Sequence, residues 1–259
     1  MTEAVRNEYE PDTVSHPGET LDDEIAELGM SQAELAERMG RPRQAVNELI
    51  RGKKAFTPDT ALELERVLGV PASFWTARQR AYDAAVARRA EEARLSREVS
   101  WLREFPYAEL VKRKWLPKRQ KTTDRVRDAL GYFGYASPAQ WRAQTATVGV
   151  GFRRSVRFKS DPGAARAWLR RAELLARDVR CAPFNLTRFR KAVHSARRLT
   201  VKDVEEVLPQ LQALFAETGV AVVLVDALAK SRVSGAAFWL GPERGVIALR
   251  LRRGSEDRL

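Results

Sequence analysis

Apolar residues recur at helical spacing through most of the chain and change to short runs only toward its C-terminal end. From Glu19 to about Arg80 they fall in brief stretches divided by Gly, Pro and Ser/Thr, the pattern of a bundle of short helices. Residues 81–104 hold no Gly or Pro and are rich in Ala, Arg and Glu, which predicts one long, exposed linker helix. Tyr82, Val86, Leu95, Val99 and Leu102 sustain no strict heptad, so a coiled coil is not expected. Over residues 105–200 the pattern predicts helices near 107–114, 122–133, 138–143, 162–178 and 184–194. Pro106, Pro117, Pro138, Pro162 and Pro183 stand close to the starts of helices, where proline is tolerated. A further helix over 201–217 is expected to end at Gly219 in a left-handed cap. The apolar runs 220–225, 233–240 and 245–251 read as three strands, the first buried on both faces.

The expected fold is mainly α, with an α+β region of about three strands at 201–259. A flexible tail is expected at 1–18, which has few aliphatic residues, no period and two prolines. A helical domain follows at 19–80, then the linker helix at 81–104 and a basic helical region at 105–200.

The most informative segment is SQAELAERMGRPRQAVNELIRGKK, residues 31–54. Ser31 with Glu34 three residues later has the spacing of a capping box and sets a helix start. Leu35, Ala36 and Met39 supply its inward face, and Gly40 permits the tight turn of a helix-turn-helix. The second helix begins near Pro42, with Val46, Leu49 and Ile50 as its buried stripe and Gly52 at its end. At 100° per residue, Arg41, Gln44, Glu48 and Arg51 point away from that stripe, flanked by Arg43 and Asn47. Arginine can fork onto guanine O6 and N7, and Gln or Asn can do the same on adenine. Gln32, Arg51, Lys53 and Lys54 are placed for phosphates, which fix register without reading sequence. Glu48 is the discordant residue, because it repels phosphate although it could accept from cytosine N4.

Charge adds a second clue and then complicates it. The 259 residues carry a formal net charge of +12, which points to an anionic partner, commonly nucleic acid. Residues 1–80 nevertheless hold 10 Lys+Arg against 15 Asp+Glu, while 81–200 hold 28 against 11 and 201–259 hold 8 against 8. Within the acidic first third, residues 38–54 carry six basic residues and one acid, so positive charge is concentrated around the turn and second helix. One cysteine, Cys181, gives no disulfide framework and fits a cytoplasmic setting. No apolar run is long enough to span a bilayer.

Residues 16–80 resemble the HigA-type antitoxin branch of the Xre/Cro-repressor helix-turn-helix family. The resemblance rests on His16-Pro17-Gly18-Glu19, on MSQAELAERMGRPRQAVNELIRGKKAFTPDTALELERVLGVPASFW, and on the helix that follows. It implies a five-helix Xre-type domain, a homodimer and a palindromic double-stranded DNA operator. In many relatives it also implies neutralisation of a small HigB/RelE-type toxin. Gln32, Arg43, Gln44 and Asn47 would then face DNA, and His16 would be an N-terminal turn residue.

From 105 onward the chain resembles the middle of long Xre proteins fused to an ImmA/IrrE-type metallopeptidase, on stretches such as FPYAELVKRKWL, FKSDPGAARAWLRRAE and GVAVVLVDALAKSRVSGAAFWL. In that family a strand like 245–251 precedes a helix bearing His-Glu-x-x-His, whose two histidines bind zinc. Here the histidines are His16 and His194, and neither belongs to such a motif. No catalytic residue, metal ligand or cofactor is therefore expected; the alternatives to a DNA-binding regulator are a peptidase fragment lacking its catalytic helix and a toxin-binding protein. Cys181 is expected to be structural, and Asp226 a loop cap after a buried strand. In the basic middle, Lys112, Arg113, Lys114, Lys118, Arg119 and Lys121 surround Trp115, and Arg166, Arg170, Arg171, Arg177 and Arg180 crowd another helix. Each group reads either as a phosphate-binding surface or as a solvated face.

Overall fold

The computed structural model describes residues 15–144, 161–199, 204–229, 231 and 233–251. The expected tail therefore lies, up to residue 14, outside the described residues, as do 252–259. The chain divides into two compact units, Met1–Arg94 and Leu95–Leu259.

The first unit consists of α1 (Pro17–Glu27), α2 (Gln32–Arg38), α3 (Arg43–Ile50), α4 (Pro58–Leu68) and most of α5 (Ala72–Arg97). Leu21 and Ile25 of α1, Leu35 and Ala36 of α2, Val46 and Leu49 of α3, and Ala61 and Leu64 of α4 close on Trp75 of α5. Phe56 stacks on the Trp75 ring, with centroids 5.7 Å apart. Gln79 is buried in support: its Oε1 accepts the Phe56 N–H at 3.0 Å and its Nε2 donates to Asp83 at 2.8 Å.

The first helix begins earlier than the expected tail boundary at residue 18. His16 is its N-cap, with Nδ1 accepting the Gly18 N–H at 2.8 Å, and Pro17 occupies the first turn, where its missing N–H costs nothing. The linker helix is not a separate element either. No Gly or Pro interrupts the chain between Ala72 and Arg97, so the fifth helix and the expected linker are one α-helix. Beyond it, Val99–Arg103 tightens into a 3₁₀ turn that seats Trp101 in the second core.

The second unit continues with α6 (Tyr107–Lys112), α7 (Thr122–Phe133), α8 (138–144), α9 (Pro162–Asp178), α10 (Leu186–Leu199) and α11 (Val204–Ala216). The strands are β1 (Val220–Asp226), β2 (Gly235–Trp239) and β3 (Gly245–Leu251). Their order is β1-β3-β2, with β1 parallel and β2 antiparallel to β3. One sheet face, with Ala221, Val223, Val225, Val246 and Ala248, packs into an aromatic core that contains Trp101, Phe105, Phe133, Trp141 and Trp168. On the other face Val220 and Val222 meet Ala192 and Phe215, with Phe189, Val193 and Ile247 packed against them. β1 is thus covered on both sides, as its unbroken apolar run requires.

Gly219 has φ +88°, and a Cβ there would stand 2.3 Å from Phe184 Cα. That close approach lets the extended segment 182–185 run beside the α11–β1 turn, where Ala182 N–H donates to the Ala216 carbonyl and Asn185 N–H to that of Thr218. Pro183 lies in this extended segment rather than in a helix, so α10 starts later than 184, and Cys181 stands well ahead of it, packed partly buried against the aromatic core. Expected helix 107–114 ends sooner too, because Lys114 takes φ +58°. Among the described residues no helix is long and apolar enough to cross a membrane.

Candidate nucleic-acid interface

Helix α2 starts as its sequence requires, with Ser31 Oγ accepting the Glu34 N–H at 3.2 Å. The Glu34 carboxylate turns instead to Arg38, 2.5 Å away. Gly40, at φ +64°, ends the helix: its N–H donates to the Glu37 carbonyl and that of Arg41 to Ala36. This pair of reverse bonds satisfies the last carbonyls of α2 and sends the chain sharply into α3.

α3 buries Val46 and Leu49 and keeps Arg43 and Gln44 exposed. Its N-cap, Pro42, makes no side-chain capping bond. The second end of α3 is fixed by the His-Pro-Gly stretch. A Cβ on Gly18 would stand 2.3 Å from the Ile50 carbonyl oxygen and 2.4 Å from that of Leu49, so only glycine lets α1 approach the last turn of α3. Gly52, at φ +68°, then faces the His16 ring, which also meets the Tyr82 ring edge-on at 4.7 Å. Burial holds the His16 imidazole below its ordinary pKa, against the opposing pull of Glu19 and Asp83.

Two hydrogen-bonded chains order the outward face. Asn47 Nδ2 donates to Gln32 Oε1 at 3.3 Å, and Gln32 Nε2 donates to Asp22 at 3.3 Å. This relay aligns both amides and ties α3 to α2 and α1. In the second chain Gln44 Nε2 donates to Glu48 at 3.1 Å while Lys54 Nζ lies 2.7 Å from the other Glu48 oxygen. The Lys54 and Gln44 bonds hold the Glu48 carboxyl below the usual carboxylate range. The discordant acid is therefore a fixed, ionised acceptor that neutralises one of the lysines expected to meet phosphate. Arg43, Arg51 and Lys53 are exposed, and their side chains make no hydrogen bond or ion pair among the described residues.

Arg41 departs from the expected arrangement. Its Nε lies 2.6 Å from Glu63 of α4, and both side chains are half-buried. A helical wheel places Arg41 outward, but α3 begins only at Arg43, so the wheel does not extend to it. Asp22 and Glu63 are the residues that sequence reasoning missed. They act across 10 and 22 residues, distances at which no local period gives a signal.

Several basic residues of the middle make internal contacts, while Lys112, Lys114, Lys118, Arg177 and Arg180 are exposed. Arg170 Nε donates to the Tyr132 carbonyl at 2.7 Å, Arg166 binds the Tyr135 hydroxyl, and Arg171 lies over the Trp115 ring at 5.7 Å. Arg113 pairs with Glu109 at 2.8 Å and lies 3.9 Å from Asp226, while Arg119 pairs with Asp128 at 2.8 Å. Asp226 thus ends β1 facing a guanidinium. Among the described residues no group of three or more His, Cys, Asp or Glu is placed to hold a metal ion.

A family model described as helix-turn-helix matches residues 24–75, which include α2, the turn and α3. Virulence-associated protein I of Dichelobacter nodosus is 38% identical over 73 residues, covering 28% of this chain and 68% of that protein. The uncharacterized HTH-type transcriptional regulator YddM of Escherichia coli (strain K12) is 32% identical over 71 residues, 27% of this chain and 76% of its own. The solved Pseudomonas aeruginosa antitoxin HigA with the higBA promoter has 32% sequence identity, covers 33% of this chain and 95% of its own, and superposes with a TM-score of 0.31.

Proposed function

Because the chain belongs through its first unit to the helix-turn-helix family of DNA-binding regulators, we propose that it is a sequence-specific operator-binding regulator of the HigA-antitoxin type. The observation that carries this reading is the exposed face of α3, where Arg43 and Gln44 stand forward of a rigid support formed by α1, α2 and Gly40. In a major groove Arg43 offers a fork for guanine and Gln44 an amide for adenine. Gln44 keeps its own oxygen as an acceptor while its nitrogen is held by Glu48. Asn47 and Gln32, aligned through Asp22, contact the edge of the site. Arg51 and Lys53 take phosphates, and Lys54 joins them by exchanging Glu48 for DNA. Arg41, paired with Glu63 in the free chain, would likewise meet DNA by exchanging its carboxylate partner.

The resemblance of residues 16–80 supports a homodimer on a palindromic operator and a small ribonuclease toxin as a second partner, both in the cytoplasm. Sedimentation of the purified chain, and its co-purification with the product of a neighbouring gene, test those two points.

Genome-wide footprinting with the full chain is expected to yield one dominant site, at its own promoter. Arg43→Ala and Gln44→Ala should each cost about 1–3 kcal/mol at that site and relax one base preference. Unchanged preference in both variants removes α3 as the reading element.

A further inference from the structure

Helix α10 differs from the other arginine-rich helices in holding no acidic residue. Over 186–199 it holds Arg188, Arg190, Lys191, Arg197 and Arg198 and not a single Asp or Glu. Asn185 fixes its start, with Oδ1 accepting the Arg188 N–H at 2.9 Å. Its apolar side is already engaged: Ala192 belongs to the core on the second sheet face, and Phe189, Val193 and Ala196 pack against that core. Arg190, Lys191 and His194 are exposed on the opposite side, with Arg188 and Arg197 exposed at its flanks. Arg166, Arg170 and Arg171 of α9 are engaged with a hydroxyl, a carbonyl and a ring. By contrast, the side chains of Arg188, Arg190 and Lys191 make no ion pair or hydrogen bond among the described residues.

We propose that this face of α10 is a second, sequence-independent contact for the phosphate backbone of double-stranded DNA. The proposal rests on the operator-binding reading for the choice of polyanion. Residues three and four positions apart on a helix are neighbours, so Arg188 and Lys191 form a row of positive charge along the axis, with Arg190 beside it. Single-stranded nucleic acid is held largely by stacking on Phe, Tyr and Trp rings, and the one such side chain of α10, Phe189, packs against the core. A membrane needs an apolar helix face to insert, and that face is packed on the sheet. A duplex backbone asks only for charge at helical spacing.

The test is titration of the full chain with its footprinted operator and with a random duplex, each at several salt concentrations. The triple variant Arg188→Gln, Arg190→Gln, Lys191→Gln is compared with a charge-retaining control, Arg188→Lys with Arg190→Lys. Glutamine keeps helix propensity and leaves the packed side of α10 untouched. The slope of log K against log salt should flatten by about 0.9 for each phosphate no longer neutralised, up to about 2.7 for three, on both duplexes and with base preference unchanged. The lysine control should retain the wild-type slope.

An operator-selective wild type whose slope survives the triple change overturns this proposal alone. A wild type without base preference, whose slope on random duplex flattens in the triple variant, overturns the operator reading and leaves α10 as a DNA contact. Absence of duplex binding overturns both. A triple variant that binds single-stranded RNA or an acidic peptide more weakly, with duplex affinity intact, assigns the face to another partner and overturns the proposal.

Discussion

At the scale of single residues, the His-Pro-Gly stretch carries an unusual share of the first unit. His16 caps α1 through an unprotonated Nδ1, Pro17 sets the first turn, and Gly18 brings α1 against the last carbonyls of α3. Protonating Nδ1 removes the acceptor for the Gly18 N–H, and burial already lowers the His16 pKa below its ordinary value of 6.5. The unfolded chain therefore takes up a proton at higher pH than the folded one. Stability of the first unit should be fully present above pH ~6.5 and decline as pH falls below it. Hydrogen exchange of α1 peptides between pH 7 and 5 measures this, and His16→Asn, which keeps a capping acceptor without titrating, should flatten the profile. A profile unchanged by that substitution assigns the pH dependence elsewhere.

At the scale of elements, what the sequence revealed depended on whether a feature was local. α3 was readable because its buried and exposed positions lie three and four residues apart, and β1 because an apolar run bounded by Gly219 and a polar turn has few alternatives. Boundaries moved where a non-local contact decided them. Pro183 looks like a helix start, yet the close approach of Phe184 to Gly219 keeps that segment extended. Arg41 looks outward on a helical wheel, yet it pairs with Glu63, far along the chain. The basic middle left two readings open, since composition cannot tell a guanidinium on a carbonyl from one in water. Strand order was equally hidden: nothing local says that β3 inserts between β1 and β2. Gly219→Ala tests the close approach that set the α10 boundary. It combines an unfavourable φ with a clash on backbone, and it should destabilise the second unit by more than about 1 kcal/mol, read as a lower urea midpoint.

At the scale of the molecule, the first unit has one core, closing on Trp75, and the second has two, one around Trp101, Trp141 and Trp168 and a smaller one around Phe215 on the other sheet face. Calorimetry of the full chain should accordingly resolve two transitions. Gly18→Ala forces a side chain into two carbonyl oxygens, an overpacking that typically costs about 1–3 kcal/mol, and should lower one transition. Gly219→Ala should lower the other. A single transition shifted equally by both substitutions contradicts the division. The charge distribution also takes a different meaning at this scale. The +12 total is not the charge of the DNA-reading unit, which is acidic apart from its recognition element. The acid-free helix with exposed basic residues, α10, lies in the other unit.

The central place of β3 bears on how the protein is made. Its two neighbours, β1 and β2, have no partner until residues 245–251 have been synthesised, because each pairs with β3 and not with the other. Domains generally fold as units during synthesis, N-terminal first. The five helices of the first unit, whose core closes at Trp75, can therefore be complete while the sheet still lacks its middle strand. A nascent or prematurely terminated chain would carry a finished DNA-reading element before its second unit is assembled. Completion of the helix-turn-helix and maturation of the sheet are then separate events in the life of each molecule.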